Sequence, residues 1–357
     1  MADDAGPGPL VVRFGALGDL IQATSLFQSL YRAWGLPCDV LAAHGFPEAV
    51  VHGLATVHDV RTVDSRRTPY WLSRSQWHAV AWLRRWPAGP AWLIEPRERP
   101  ADKSLWLLAR AGIPRDRIVD AREVPRGPLE HTVDYLHRVA ARTPAGVQPP
   151  PSPLPAVPPL PRLHVEDDEL KECRRWLTAR GWRGEPVVVL QTQSRRTNRG
   201  RWPDAQWIAA ARGVLRRLPE ARLLLAGTPR ELPEIRRLAA ACDDRRVEAA
   251  AADLPLRRLF ALLALAHSCI SLDSGPAHAA ATLGCPVAVL PGMADPRRVA
   301  PRGAPGSVRV VASIPESAWP DDPMRWQVAH RMEAIDVDAV LEAWLAVSAS
   351  RPVSQER

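Results

Sequence analysis

The chain has 357 residues, a hydrophobic fraction of 46% and a formal net charge of +8. This length is sufficient for two domains of ordinary size. No run of about 18 apolar residues occurs, which argues against a membrane-spanning helix, and the acidic start MADDAGPGPL does not resemble a signal peptide. The five cysteines are scattered and form no C-x-x-C pair, so we predict neither a disulfide framework nor a structural zinc site. These features favour a cytoplasmic protein.

The positive charge comes almost entirely from arginine, because only Lys103 and Lys171 among the 47 basic residues are lysine. Codon bias in a GC-rich genome is the favoured explanation, since Ala, Pro and Gly are also abundant. The alternative is attraction to an anionic partner such as nucleic acid, a phosphorylated glycolipid or an anionic membrane surface. The arginines are spread along the chain without an aromatic-interleaved basic patch, so we predict no nucleic-acid partner.

The chain begins with a strand, a glycine turn and a helix. Residues 10–14 (LVVRF) predict a buried strand, and residues 20–34 have the apolar spacing of a helix. Gly15 and Gly18 are expected to permit positive φ and close approach of a ligand to the backbone. Asp19 then lies at a helix start beyond the carboxyl end of the first strand, where open α/β sheets bind ligands. A helix cap is the ordinary role of such an aspartate, and a catalytic carboxylate is the alternative.

The rest of the first half alternates between strand and helix, which predicts an α/β domain. The remaining strands are predicted at residues 38–42, 57–60, 91–94 and 117–119, and the helices at residues 46–54, 73–86, 103–111 and 129–142. The region from residue 70 to residue 106 is rich in tryptophan. We expect most of these side chains to pack in the interior, and a wall around Trp77 for a sugar or lipid-linked acceptor is the alternative.

A proline-rich segment, QPPPSPLPAVPPLP at residues 148–161, is typical of a stiff extended connector. We therefore predict a first domain at residues 1–148, a linker at 149–161 and a second domain at 162–330. The last part, residues 331–357, is predicted to contain a helix that packs back across both halves.

The second half repeats the alternation, with helices predicted at residues 165–180, 204–217, 229–241 and 256–266 and strands at residues 186–191, 222–226 and 308–311. Two of its segments suggest a phosphate site. The basic loop QTQSRRTNRGRW at residues 191–202 follows a predicted strand. It is a candidate to hold phosphates, and a solvated Arg-rich loop is the alternative. The loop residues considered for phosphate binding are Thr192, Ser194, Arg199 and Arg201.

The stretch SLDSGPAHAAATLGCPVAVLPG at residues 271–292 reads as the end of a strand, a tight turn, a small Ala-rich helix and a second strand. Asp273 and Ser274 are good cap residues, and Pro276 suits the first turn of a helix. A helix start with small side chains and available N–H groups is a site for an anion such as a diphosphate. An ordinary βαβ unit capped for stability remains an equal alternative at this point.

Two motifs together resemble glycosyltransferase family 9, the ADP-heptose:lipopolysaccharide heptosyltransferases. Residues 13–24 (RFGALGDLIQAT) are similar to the family's R-x-x-x-x-G-D-[VL] opening. Residues 273–287 and 291–296 are similar to its D-[ST]-G-x-x-H-x-A-A-x-x-x-x-P and G-x-x-D-P segments. The resemblance implies a GT-B fold, with two Rossmann-like domains facing across a cleft. It also implies inversion at the anomeric carbon, no metal, and no cofactor because the ADP-sugar is a substrate.

The family's motif positions imply roles for individual residues. Asp19 matches the general base, which deprotonates the acceptor hydroxyl as it attacks. Asp273 matches the residue that holds the donor sugar, and His278 lies near the diphosphate. The N–H groups of Ser274 to Ala277 would supply positive dipoles to the leaving group. The donor-binding residues expected from this motif are Asp273, Ser274, Gly275, Pro276, Ala277 and His278.

The sequence departs from the family at one position. The family commonly has a lysine two residues before a Trp-Pro pair, and here that position is Gly200, before Trp202-Pro203. Arg199 and Arg201 flank it and are the candidates to contact the diphosphate instead. A guanidinium binds phosphate bidentately, so this replacement is not neutral.

The leading hypothesis is therefore transfer of a heptose from ADP-heptose to an anionic glycolipid, the lipopolysaccharide core. The first domain would bind the acceptor and the second the nucleotide sugar, with peripheral contact to the inner face of the cytoplasmic membrane. The alternatives are another nucleotide sugar, a different acceptor, or a catalytically silent nucleotide-sugar binder. A basic nucleic-acid protein is disfavoured.

Overall fold

The computed structural model describes residues 8–43, 45–63, 73–84, 86, 89–95, 98–192 and 201–349. The chain divides into two compact units, unit 1 (Met1–His164) and unit 2 (Val165–Arg357). Each unit contains a parallel β-sheet with helices between its strands. The predicted α/β class is confirmed.

The sheet of unit 1 has five parallel strands in the order β3-β2-β1-β4-β5. Its strands are β1 (Leu10–Arg13), β2 (Cys38–Ala43), β3 (Val57–Val63), β4 (Ala91–Leu93) and β5 (Ile118–Asp120). Its helices are α1 (Leu17–Trp34), α2 (Pro47–Val51), α3 (Arg74–Leu83), α4 (Glu98–Ala111) and α5 (Thr132–Ala140). The strand order reverses between β1 and β4, and a ligand of an open α/β sheet binds beyond the carboxyl ends of the strands at such a point.

The elements around this reversal are held by an apolar core. The β1 strand is buried, and an apolar cluster joins it to β2, β4 and helices α3 and α4. The helix α1 is buried around most of its surface and packs against α5. It ends at Gly35, which has a φ of 71° and donates its N–H to the Tyr31 carbonyl. Glycine adopts this left-handed conformation without the steric cost of a Cβ.

The proline-rich segment lies along unit 1. The Gln28 amide of α1 donates to the Leu160 carbonyl at 2.7 Å, and the Arg162 N–H donates to the Thr24 hydroxyl oxygen at 2.7 Å. The His137 ring of α5 donates from Nε2 to the Pro155 carbonyl at 2.9 Å. The segment contains neither helix nor strand, it belongs to unit 1, and the division between the units falls after His164. The sequence predicted a linker between the domains at residues 149–161.

The sheet of unit 2 has six parallel strands in the order β11-β10-β9-β6-β7-β8. Its strands are β6 (Val187–Gln191), β7 (Arg222–Ala226), β8 (Val247–Ala250), β9 (Ser268–Leu272), β10 (Val287–Leu290) and β11 (Val308–Val310). Its α-helices are α6 (Asp167–Ala179), α7 (Asp204–Arg217), α8 (Leu232–Ala241), α9 (Leu256–Leu265), α10 (Gly275–Thr282), α11 (Pro296–Val299), α12 (Trp326–Ala329) and α13 (Val337–Ser348). The order reverses between β6 and β9, so the carboxyl ends of these two strands are adjacent.

The last helix, α13, packs against α7 and strands β9, β10 and β11 of unit 2. Gly213 of α7 permits the close approach, because an added Cβ would lie 2.4 Å from Leu341 Cδ1. The Trp344 ring donates to the Ser268 hydroxyl at 2.7 Å, at the first residue of β9. The helix is therefore an integral part of the core of unit 2.

Two kinds of feature are absent from the described residues. No helix there has the length and hydropathy needed to cross a bilayer. No group of three or more His, Cys, Asp or Glu side chains suited to a metal ion occurs within the same ranges.

Candidate active site

Asp19 lies in the first turn of α1, beyond the carboxyl end of β1. Its carboxylate accepts the Ala16 N–H at 2.8 Å, which satisfies one of the free donors at the helix start. A negative charge in this turn is also favoured by the helix dipole. The side chain is 41% exposed, so this helix-capping carboxylate remains accessible to a substrate. The capping role and the catalytic role are thus compatible in one residue.

Two further charged residues surround Asp19. The Arg13 guanidinium lies 3.0 Å from an Asp19 oxygen and donates to the Ile94 carbonyl at 2.7 Å. The Glu95 carboxylate, which follows β4 and is almost fully buried, lies 3.7 Å from the same guanidinium and accepts the Phe14 N–H. These residues sit at the point where the strand order of unit 1 reverses.

Gly15 is required for a reason that differs from our expectation. Neither Gly15 nor Gly18 has a positive φ. An added Cβ at position 15 would lie 2.6 Å from Asp19 Cβ and 2.7 Å from Arg13 Nε. The glycine therefore makes room for the Arg13–Asp19 pair, whereas Gly18 is a buried residue within α1. The positive φ that a glycine permits is therefore used at neither position.

In unit 2, the second motif lies at the carboxyl ends of the central strands. Gln191 of β6 pairs with Ser271 of β9, so Thr192 and Asp273 follow neighbouring strands. Asp273 lies 3.6 Å from the His278 ring nitrogen, and both side chains are largely buried. The motif thus brings a carboxylate and an imidazole together at the start of α10.

The start of α10 has unused polar groups. The Ser274 hydroxyl oxygen is inaccessible to solvent and has no hydrogen-bond partner among the described residues. Within the same part of the chain, the N–H groups of Ser274 and Gly275 have no acceptor either. The Ala277 N–H instead donates to the Ser274 carbonyl at 3.0 Å, and Pro276 has no N–H. Among residues 274–277, the backbone N–H groups that could bind an anion are therefore those of Ser274 and Gly275.

The basic loop is only partly described. Ser194, Arg199 and Gly200 lie outside the described residues. Thr192 is fully buried directly after β6. Arg201 forms ion pairs with Asp204 at 3.2 Å and with Glu234 of α8. The structure thus engages Arg201 in pairs within unit 2 rather than leaving its guanidinium available at the strand ends.

The loop that follows β10 is held by two side chains from α12 and its end. The Trp326 ring donates to the Gly292 carbonyl at 2.9 Å. The His330 ring stacks on Trp326 and lies with Nε2 2.9 Å from the Pro291 carbonyl oxygen. These contacts fix the loop at the carboxyl end of β10, which neighbours the end of β9 and Asp273.

Asp295 of the P-G-M-A-D-P segment is a structural residue. Its buried carboxylate accepts the Arg297 N–H at 3.0 Å and pairs with the Arg297 guanidinium at 2.6 Å. That guanidinium also lies 5.7 Å from the centre of the Trp319 ring. The pair caps the short helix α11 and ties it to the segment around Trp319.

The interpretation of the sequence missed Glu95 and gave Arg13 no role. The signal for Glu95 is the sequence AWLIE, in which a carboxylate directly follows an apolar strand. Its importance depends on the pairing of β4 with β1, which no local pattern predicts.

A family model for glycosyltransferase family 9 (heptosyltransferase) matches residues 118–320, more than half of the 357 residues. The chain belongs to glycosyltransferase family 9. The matched residues include the motif at 273–296, whereas the motif around Asp19 lies before them. No curated protein sequence gives a match.

Solved structures resemble the whole chain at low sequence identity. The family 9 glycosyltransferase of Veillonella parvula has a TM-score of 0.76 at 15% identity, covering 98% of this chain and 99% of its own. The Escherichia coli ADP-heptose LPS heptosyltransferase II has a TM-score of 0.73 at 17% identity, covering 96% and 99%. The Escherichia coli heptosyltransferase WaaC with ADP has a TM-score of 0.60 at 20% identity, covering 85% and 92%. These similarities confirm the predicted GT-B fold with two Rossmann-like units.

Proposed function

We propose that this glycosyltransferase transfers a heptose from ADP-heptose to a lipopolysaccharide core acceptor, with inversion at the anomeric carbon. Family membership supports glycosyl transfer, and two structural relatives are named as heptosyltransferases, one of ADP-heptose and one solved with ADP. The single observation that carries the proposal is the pair of sites at the two strand-order reversals. The site in unit 1 presents the Asp19 carboxylate. The site in unit 2 presents hydrogen-bond donors at Ser274 and Gly275 that have no acceptor among the described residues.

Unit 2 would bind the donor. The Ser274 hydroxyl and the N–H groups of Ser274 and Gly275 would donate hydrogen bonds to the diphosphate at the start of α10, where the helix dipole also favours an anion. Asp273 would accept hydrogen bonds from the sugar hydroxyls, and the adjacent His278 would contact the diphosphate. Thr192 belongs to the same strand ends. Arg199 and Arg201 are the sequence candidates for the missing family lysine, and Arg201 would have to leave its ion pairs with Asp204 and Glu234 to contact the diphosphate.

Unit 1 would supply the base. The acceptor oxygen attacks the anomeric carbon while its proton passes to the Asp19 carboxylate, and the bond from that carbon to the diphosphate breaks. The electron pair of the broken bond leaves with ADP, whose charge the donors at α10 stabilise. A single displacement of this kind inverts the anomeric centre. It requires neither a metal nor a cofactor, because the ADP-sugar is itself a substrate.

The acceptor would be an anionic glycolipid at the inner face of the cytoplasmic membrane. The net charge of +8 supports electrostatic attraction to such a surface. The protein would be cytoplasmic and in peripheral contact with the membrane, and it would have no nucleic-acid partner.

The experiment combines transfer with binding. Purified protein is incubated with ADP-heptose and heptose-free lipopolysaccharide core, and the product is followed by mass spectrometry. We expect Asp19→Asn to lower kcat by about 10²- to 10⁴-fold, the usual contribution of a general base. Calorimetry with ADP should give the same affinity for the wild type and this variant, because Asp19 does not contact the donor's ADP.

Two results would contradict the proposal. Equal transfer by the wild type and Asp19→Asn would exclude Asp19 as the base. Binding of a different nucleotide sugar without any binding of ADP-heptose would replace the proposed donor.

A further inference from the structure

The Asp19 carboxylate is held from two sides by unit 1. Arg13 Nη2 lies 3.0 Å from Oδ1, and the Ala16 N–H donates to Oδ2 at 2.8 Å. These contacts restrain both the position and the plane of the carboxylate. A catalytic group must be held closely to its productive geometry, since a displacement of about 1 Å can cost 10²-fold in rate.

Arg13 is itself fixed at a second strand. Its guanidinium is only 10% exposed, and Nη1 donates to the Ile94 carbonyl at 2.7 Å, just beyond β4. The Glu95 side chain, 4% exposed, places Oε1 3.7 Å from Nη1 and accepts the Phe14 N–H. Arg13 therefore connects a buried carboxylate just beyond β4 to an accessible carboxylate in the first turn of α1.

The charges of this group explain why both acids are present. Asp19, Arg13 and Glu95 carry formal charges of −1, +1 and −1 when ionised, so the guanidinium stands between two carboxylates. A lone arginine beside a base would hold the carboxylate but would also oppose its protonation. Glu95 offsets that charge from the buried side, so Arg13 orients Asp19 without leaving it facing an uncompensated cation.

We propose that Arg13 is a positioning residue for Asp19 and that Glu95 holds Arg13 in place and offsets its charge. The proposal rests on the assignment of Asp19 as the base. Gly15 completes the arrangement, because any side chain there would collide with both members of the Arg13–Asp19 pair.

The test compares Arg13→Met, Arg13→Lys and Glu95→Gln with the wild type, using ADP-heptose and heptose-free core as substrates. We expect Arg13→Met to lower kcat about 10- to 100-fold, with KM for both substrates changed less than about threefold. Arg13→Lys should recover part of the loss because it keeps the charge. Crystal structures of the variants provide a second readout, in which the Asp19 carboxylate should leave its position in Arg13→Met and the guanidinium should move in Glu95→Gln.

Arg122→Lys is the matched control. Arg122 pairs at 2.7 Å with the buried Asp120 at the end of β5, on the same edge of the same sheet, but it makes no contact with Asp19. Its replacement should leave kcat unchanged. Melting temperatures of all variants show whether a loss of activity reflects unfolding.

The outcomes separate this inference from the proposed function. A raised KM with unchanged kcat in Arg13→Met would mean that Arg13 binds a substrate, and an unmoved Asp19 carboxylate in that variant would also overturn positioning. If the wild type does not act on these substrates, the donor or acceptor assignment fails and the crystallographic readout still decides the role of Arg13. Full activity of Asp19→Asn would overturn the base assignment and the inference together.

Discussion

His330 shows how a single residue can make the site of unit 2 sensitive to pH. Its Nε2 donates to the Pro291 carbonyl and its Nδ1 lies 3.0 Å from the Ser313 hydroxyl, which together match the neutral ring. Burial lowers the pKa of His330, and the hydrogen bond to Pro291 and the nearby Glu333 oppose that effect only in part. The folded protein therefore favours the neutral ring more than the unfolded chain does.

This shift predicts acid destabilisation of unit 2. A histidine whose pKa is lowered by folding contributes stability above its unfolded pKa of about 6.5. That contribution is lost progressively as the pH falls below this value. We expect the melting temperature of the wild type to fall further between pH 7.5 and pH 5.0 than that of His330→Gln, because the variant lacks the group that takes up a proton on unfolding.

Exposed His78 of α3 provides the control for this measurement. His78→Gln should keep the full pH dependence of the wild type. The same dependence in His330→Gln would show that another group is responsible.

At the residue scale, the sequence motifs predicted the positions of the candidate site residues but not the contacts that these residues make. The positions of Asp19 and Asp273 after strands follow from the sequence. The steric role of Gly15 does not, because it depends on the Arg13 side chain turning towards Asp19. Glu95 becomes part of the site only through the pairing of β4 with β1. Which N–H groups at the start of α10 could bind an anion depends on the hydrogen bonds inside its first turn, and these are not evident from the sequence.

At the scale of elements, the sequence identifies most strands because they are fully buried in parallel sheets and read as apolar runs. The predicted helix at residues 204–217 and strand at 222–226 agree with α7 and β7. The strand β8 was missed. Its sequence VEAA has little β-propensity, and its conformation is set by pairing with β7 at the edge of the sheet.

The packing of α13 on α7 makes a prediction about the stability of unit 2. An added methyl at Gly213 would overlap Leu341, so Gly213→Ala should destabilise unit 2 by about 1–3 kcal/mol through overpacking. Leu341→Ala alone should cost about 2–5 kcal/mol by leaving a cavity. The double variant should lose less than the sum, because the alanine at position 213 occupies part of that cavity.

Urea unfolding followed by tryptophan fluorescence measures these differences. The buried Trp344 lies on α13 and reports on this packing. Strictly additive losses in the double variant would show that the two side chains do not share one space.

At the scale of the whole molecule, the two units carry different parts of the proposed reaction. The described hydrogen-bond donors proposed for the diphosphate belong to unit 2, whereas Asp19, Arg13 and Glu95 belong to unit 1. The predicted α/β class and the GT-B fold are confirmed for the chain as a whole. The boundary after His164 was not predicted, because composition reveals a proline-rich segment but not the surface on which it lies.

This division of roles between the two units predicts which backbone amides ADP protects from hydrogen exchange. Hydrogen exchange of the full chain with saturating ADP should be slowed in peptides that cover residues 268–283, since a ligand that binds only the native state suppresses local opening. Peptides that contain β1 and the start of α1 should be unchanged. Ser274→Ala should weaken this protection, while Ser29→Ala, a buried serine on α1 of unit 1, should not. Protection by ADP around Asp19 instead would contradict the assignment of the donor to unit 2.

The proline-rich segment has a consequence for recombination between family members. Residues 149–162 provide partners for Thr24 and Gln28 of α1 and for His137 of α5. A crossover at residue 148 would therefore combine α1 and α5 of one parent with the proline-rich segment of the other. A crossover just after His164 keeps every one of these hydrogen bonds within a single parent. An exchange of unit 1 between relatives should therefore include the proline-rich segment together with α1 and α5.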